Sequence, residues 1–300
     1  KKNGYSIVAY TDHEILVPHN ELADEDFLPL NGYEFQVLQE GETDIRTRKC
    51  CHICLIAIDP ENVKQICHHR SKYVWGNALK YTNVIQFDEN ELDYERVYSH
   101  EGVNDVMKKG MDNGFFVTYN HPTWSQENYS DYMGYHYMHA MEIYNHDCAQ
   151  GGYPEYNEKE YDDMLRCGKR IFCIATDDNH NNPDYPDWLG GFTMIKSEKL
   201  EYEAVTSALF SGNFYASEGP LINELWYENN KVYIRFEPAR KAFITKGTRN
   251  VLKAEAYEDK LITEAVFPVE DDDIYFRITV EAVNGKRAYT NAYFMDELIG

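Results

Sequence analysis

No apolar run in this sequence reaches the roughly 18 to 20 residues that cross a membrane, so a membrane partner is not expected. Positive charge is scarce: 29 Lys and Arg stand against 51 Asp and Glu, a formal net charge of −22. Such a chain repels a phosphate backbone unless it carries a locally basic groove, which argues against a nucleic-acid polymer as partner. A small anionic substrate stays compatible, because bound metal cations reverse the local field. There is no serine nucleophile motif, no glycine-rich dinucleotide loop and no phosphate-cradling loop. The seven cysteines are an odd number, and several sit in apolar runs where a free thiol behaves as a small hydrophobe. A reduced, cytoplasmic protein fits them better than a disulfide scaffold. The chain opens on Lys1-Lys2-Asn3-Gly4 rather than Met, reads there like the tail of a helix, and leaves open a targeting segment ahead of it.

What is present suffices for a large core: 300 residues, 43% of them hydrophobic, allow one large domain or a large and a small one. The organising stretch is Arg170 to His180, an apolar run that stops in Asp177-Asp178-Asn179-His180. A buried strand delivering carboxylates and an imidazole at its end is how α/β enzymes place reactive groups. The same grammar ends a run at Asp12-His13 and another, from Gly114, at His121. Further strands are expected over Gly32–Leu38, Cys51–Ile58, His139–Asn145 and Gly190–Ser197. Helices are expected over 101–113, where Val103, Val106, Met107 and Met111 share a face, over Tyr156–Arg166 and over Leu200–Phe210. A short helix could fill Pro60–His69, and Tyr81–Asp88 reads as extended. A polar, hairpin-like segment spans 39–49. From Leu221 onward, alternating runs follow one another without helices, with turn signals at Asn229-Asn230 and Asn284-Gly285. Residues 1–219 therefore read as an α/β barrel or a doubly wound sheet, and 220–300 as a small all-β, sandwich-like domain. Ligand-like residues at five or more strand ends favour the barrel.

The candidates for chemistry are His13, Glu34, His52, His121, Asp178 and His180, with Asp12, Glu142, Asn145 and Asp177 nearby. Imidazoles with carboxylates are the ligand set of Zn, Mn or Fe. A carboxylate such as Glu34 would bridge two ions, which together activate a water and clamp a phosphoryl oxygen. A lone histidine at a strand end is more often a hydrogen-bonding residue; the conjunction carries the inference. Cys51-x2-Cys54 with Cys67 and His68 has approximate zinc-finger spacing, but period two puts Cys51 and Cys54 on opposite strand faces. His100, His136, His139 and His146 read as solvent-facing or outer partners.

At these residues the chain resembles the PHP (polymerase and histidinol phosphatase) family of metal-dependent phosphoesterases. The matching stretches are Tyr10-Thr11-Asp12-His13, Gly32-Tyr33-Glu34, His52 opening an apolar strand, Asn120-His121-Pro122, Met141–Asn145, Asp178-Asn179-His180 and Gly212–Pro220. They cover about residues 4–220. The resemblance implies a distorted seven-stranded β/α barrel holding two or three divalent ions (Mn, Zn or Fe). His13, Glu34, His52, His121, Asp178 and His180 would be ligands, and His121, Asp178 and His180 would also take part in catalysis. The implied reaction is attack of a metal-held hydroxide on the phosphorus of a small phosphorylated metabolite or nucleotide. The family opens with a strand ending in His-x-His, and this chain has no room for it before Thr11. That absence implies a fragment with its first strand missing, or a degenerate relative. The alternative function is a catalytically incomplete barrel that binds a ligand or a partner.

Overall fold

The structure is a computed structural model that describes residues 1–41, 44–258 and 260–298. Residues 42 and 43 of the expected hairpin-like segment, and 259, 299 and 300 of the expected β domain, lie outside the described residues. The chain divides into two compact units, one of residues 1–141 with 195–213, the other of 142–194 with 214–300. This division follows compactness, whereas the cut at 219/220 follows the change from alternating elements to strands alone.

Six strands come first: β1 (Ile7–Tyr10), β2 (Leu28–Leu38), β3 (Cys50–Ala57), β4 (Phe115–Asn120), β5 (Ala140–Asn145) and β6 (Phe172–Thr176). They form a sheet in the order β1-β2-β3-β4-β5-β6. β4 and β5 are buried along their whole length, so neither alternates between buried and exposed residues. Helix α1 (His100–Asp112) starts where Ser99 accepts a hydrogen bond from the Gly102 amide, and it ends before Gly114 at φ 77°. It buries Val103, Val106 and Met107. Gly110 lets it come close to the sheet, since a Cβ there would stand 2.6 Å from Leu55 Cδ2.

The distorted seven-stranded β/α barrel does not form: the sheet is open, six-stranded and mixed, and no closed seven-stranded barrel exists among the described residues. β1 and β2 run parallel, as do β4 and β5, but β2, β3 and β4 are antiparallel neighbours. The connections give the physical reason. A parallel step needs a crossover of a dozen or more residues, usually a helix. The described part of the β2–β3 link holds only a single 3-10 turn at Ile45–Thr47, so β3 folds back as a hairpin partner. Smaller expectations also change. Residues 1–4 make a turn rather than a helix end, Pro60–His69 holds no helix, and Tyr81–Val84 belongs to a 3-10 segment, Gly76–Val84, rather than to a strand.

In the first unit, α2 (Tyr129–Tyr132) and α5 (Tyr202–Phe210) complete the named helices; in the second, α3 (His146–Gly151) and α4 (Glu158–Arg166) precede β6. The remaining strands are β7 (Phe192–Ile195), β8 (Phe214–Ser217), β9 (Ile222–Glu228), β10 (Lys231–Ala239), β11 (Lys241–Lys246), β12 (Leu252–Glu255), β13 (Ile262–Pro268), β14 (Tyr275–Glu281), β15 (Arg287–Thr290) and β16 (Tyr293–Phe294), followed by α6 (Met295–Leu298). They make a three-stranded sheet, β13-β10-β9, and a larger one in the order β12-β11-β14-β15-β8-β7, with β16 on β14. Alternate residues of β10, β11 and β13 bury against β14 around Ile234, Phe236, Ile244, Phe267 and Ile278. The larger sheet takes β7 and β8 from before residue 220, so the β structure is not confined to 220–300. No helix among the described residues is long and apolar enough to cross a membrane.

Candidate metal centre

In the first unit the local chain path places His13 beside Glu34. Past the end of β1, the Glu34 amide donates to the Asp12 carbonyl and the Glu14 amide donates to the Glu34 carbonyl, at 3.1 and 2.8 Å. Glu14 takes the left-handed conformation, φ 67°, and its buried carboxylate accepts two bonds from the Arg96 guanidinium, at 2.7 and 2.6 Å. Arg96 also donates to the Gln36 carbonyl and lies over the rings of Phe35 and Tyr73, at 3.7 and 4.1 Å. The segment bearing His13 is therefore clamped to β2.

Register delivers the other groups. Glu34 on β2 faces Cys54, Gln36 faces His52, and His52 faces Asn120 on β4. His121 follows β4 at φ 25°, held by the hydrogen bond from the Ser125 amide to its carbonyl. Glu34 is the hub. His13 Nδ1 stands 2.8 Å from Oε2, and His52 Nδ1 stands 3.0 Å from Oε1. His121 Nε2 stands 3.4 Å from Oε1, and the Asn120 amide donates to the same oxygen at 3.3 Å. Burial pushes the Glu34 carboxyl up, yet the His52 charge and the hydrogen bonds from His121, His13 and His52 outweigh it and hold it well below the usual carboxylate range.

Outer partners fix the ring orientations. Gln36 Nε2 lies 2.7 Å from His52 Nε2, Ser125 Oγ lies 3.3 Å from His121 Nδ1, and the Thr118 hydroxyl donates to Asn120 Oδ1. Two indoles flank the hub: Trp124 beside His52 and His121, Trp75 beside His13. The loop after His121 is tied down by Glu127, whose buried carboxylate accepts from the hydroxyls of Tyr98, Tyr119 and Tyr135. Burial raises this carboxyl to about 7 even though the three hydroxyls pull it down.

Asp178 and His180, the other two expected ligands, belong to the second unit. There Asn145 Nδ2 donates to both Asp178 and Glu142. His180 groups with Asp147 and Asp187, its Nδ1 3.9 and 3.5 Å from their carboxylates. Fully buried Asp187 accepts from Asn179 and from the His180 amide. Asp177 accepts from the amides of Leu189, Gly190 and Gly191, a loop anchor rather than a ligand arrangement. His139 is no outer partner of the hub; it stacks on Phe116 and accepts from the Val117 amide. No disulfide joins the cysteines among the described residues, and Cys51, Cys54, Cys67 and His68 form no ligand group there.

The ligand atoms of Glu34, His52 and His121 lie within 4.8 Å of one another, all three residues buried, and Asp147, His180 and Asp187 meet the same spacing. Sequence reasoning missed Gln36, Trp75, Trp124, Asp147 and Asp187. Only the Gln36–Glu34 spacing, which puts both on one strand face, carried a signal. No family model matches the chain, and no curated protein or solved structure is similar enough to count as a match. The resemblance to the PHP family rests on the motifs quoted above.

Proposed function

We propose that the Glu34 hub holds divalent metal and that this chain hydrolyses a phosphate ester of a small metabolite or nucleotide. One observation carries the reading: a buried carboxylate faced by three imidazole nitrogens and an amide, with no Lys or Arg among these partners. Imidazole with carboxylate oxygen suits Zn, Mn or Fe, and the spacing of Glu34, His52 and His121 is that of groups able to share one ion. His13, at the exposed side, would join them. The chemistry a divalent ion supplies in such a site is positive charge against phosphoryl oxygens and an easier loss of a proton from water. Glu34 orients the imidazoles, while Asn120, Gln36 and Ser125 keep them in register.

The test is metal content by elemental analysis, with hydrolysis of p-nitrophenyl phosphate and of nucleoside monophosphates, before and after chelation and re-addition of Mn, Zn or Fe. Stoichiometric metal is expected in the wild type, with at least a roughly tenfold loss of affinity in Glu34→Gln and in His52→Ala. Hydrolysis should disappear with the metal. Equal metal binding by wild type and both variants would sink the reading. Metal without turnover would replace the hydrolase with a ligand-binding module.

A further inference from the structure

The hub residues are unevenly exposed. The side chains of Glu34, His52 and His121 are only 5%, 4% and 4% exposed, whereas that of His13 is 30% exposed. His13 is therefore the hub residue most open to an incoming molecule. The ring that stands there is Trp75, its centroid 5.2 Å from that of His13 and its plane tilted by 33°. Trp75 is half exposed, at 50%, although it is among the largest apolar side chains in the protein. It introduces the 3-10 segment Gly76–Val84, none of whose residues is buried and which also exposes Leu79, Tyr81 and Val84. Trp124, in contrast, lies against both His52 and His121, 5.3 and 5.1 Å away. Core packing does not require Trp75 to sit at the entrance, and half of its surface is open to an incoming molecule.

We infer that Trp75 is a specificity residue: it stacks on a flat aromatic part of the substrate, the base of a nucleotide or the ring of an aryl phosphate, while the phosphate reaches the hub. This deepens the phosphoesterase reading and rests on it. A base stacks on an indole without regard to its hydrogen-bonding edge, so the site would select aromatic phosphate esters as a class and not one base. Stacking of this kind changes affinity by roughly tenfold or more when the ring is removed.

The experiment compares kcat/KM for AMP, p-nitrophenyl phosphate and glycerol 2-phosphate in the metal-loaded wild type, Trp75→Leu and Trp75→Phe. Calorimetric titration of AMP into each protein runs alongside. The preference for the two aromatic esters over glycerol 2-phosphate should fall about tenfold in Trp75→Leu, through KM, and return largely in Trp75→Phe. A preference confined to AMP would assign the subsite to nucleotides, and one shared with p-nitrophenyl phosphate to aromatic rings generally. An unchanged preference, or an equal loss on all three esters, overturns the assignment. If the wild type hydrolyses none of them, the phosphoesterase reading fails and the titration decides the role of Trp75 by itself. AMP binding about tenfold weaker in Trp75→Leu then sustains the aromatic subsite, and equal binding or none removes it.

Discussion

Replacing Glu127 with glutamine turns the burial of one carboxyl into a measurable pH dependence. The group sits at about 7 in the folded chain, against 4.5 for an ordinary glutamate, because burial penalises its charge more than three tyrosine hydroxyls offset it. Holding it there costs the folded state roughly 3 kcal/mol once the group ionises. Between these two values the folded protein binds more protons than the unfolded one. The contribution is therefore fully present below about pH 4.5 and is lost as pH rises through about 7. His139 works in the opposite sense, since burial lowers it from 6.5 to about 4 and its contribution is lost as pH falls through that window. The two slopes oppose each other in the wild type, so only a difference between variants isolates Glu127. Glutamine keeps the shape and an acceptor for the tyrosines without a titrating proton. Urea unfolding should be followed by the fluorescence of Trp75 and Trp124 after Trp188→Phe and Trp226→Phe, because those two indoles report on the second unit. In that background, the stability of Glu127→Gln relative to its unsubstituted parent should grow by roughly 3 kcal/mol from about pH 4 to about pH 8. A difference that is constant across this range, or that shrinks as pH rises, would refute the reasoning and show that the carboxylate is well satisfied by its tyrosines.

Two further predictions concern packing. Arg277, in the second unit, is fully buried and donates to both oxygens of Asp162 at 2.8 and 2.9 Å, so Arg277→Met should cost about 3 kcal/mol by leaving that carboxylate facing the more distant Arg166, 3.9 Å away. Adding Asp162→Leu should recover most of the loss in thermal or urea unfolding; a double variant as unstable as the single one would count against a paired-charge origin. At the start of α1, Ser99→Ala should cost about 1 kcal/mol by removing the cap on the Gly102 amide. Gly102→Ala should cost more, because its Cβ would stand 2.1 Å from the Val97 carbonyl oxygen, a backbone atom that cannot step aside cheaply. If Gly102→Ala proves the milder of the two, the close approach of Val97 to the helix is wrong.

Part of the candidate site was legible in the linear chain. His13, Glu34, His52 and His121 stood out because each ends or lies in an apolar run, and burial of those runs brings their polar residues to one carboxylate. α1 was legible from Val103, Val106 and Met107 on one helical face. The open, mixed sheet was not legible and was read as a barrel, because alternating helix and strand signals do not state strand direction. The short link from Leu38 to Cys50, with one 3-10 turn among its described residues, reverses the chain and sets the antiparallel register that puts His52 opposite Gln36. Arg96 shows the limit more sharply: it clamps Glu14 across 82 residues, and no local pattern announces such a pair.

The sequence by itself determined most of the core strands, the end of α1 at Gly114, and which imidazoles and carboxylates lie at strand ends, since burial and chain reversal depend on residues close together in the chain. Tertiary structure alone decided that Glu34 is the hub, that His13 is its exposed member and that Trp75 stands beside it. Those facts depend on strand order, direction and register, which arise from hydrogen bonds and packing between residues far apart in sequence.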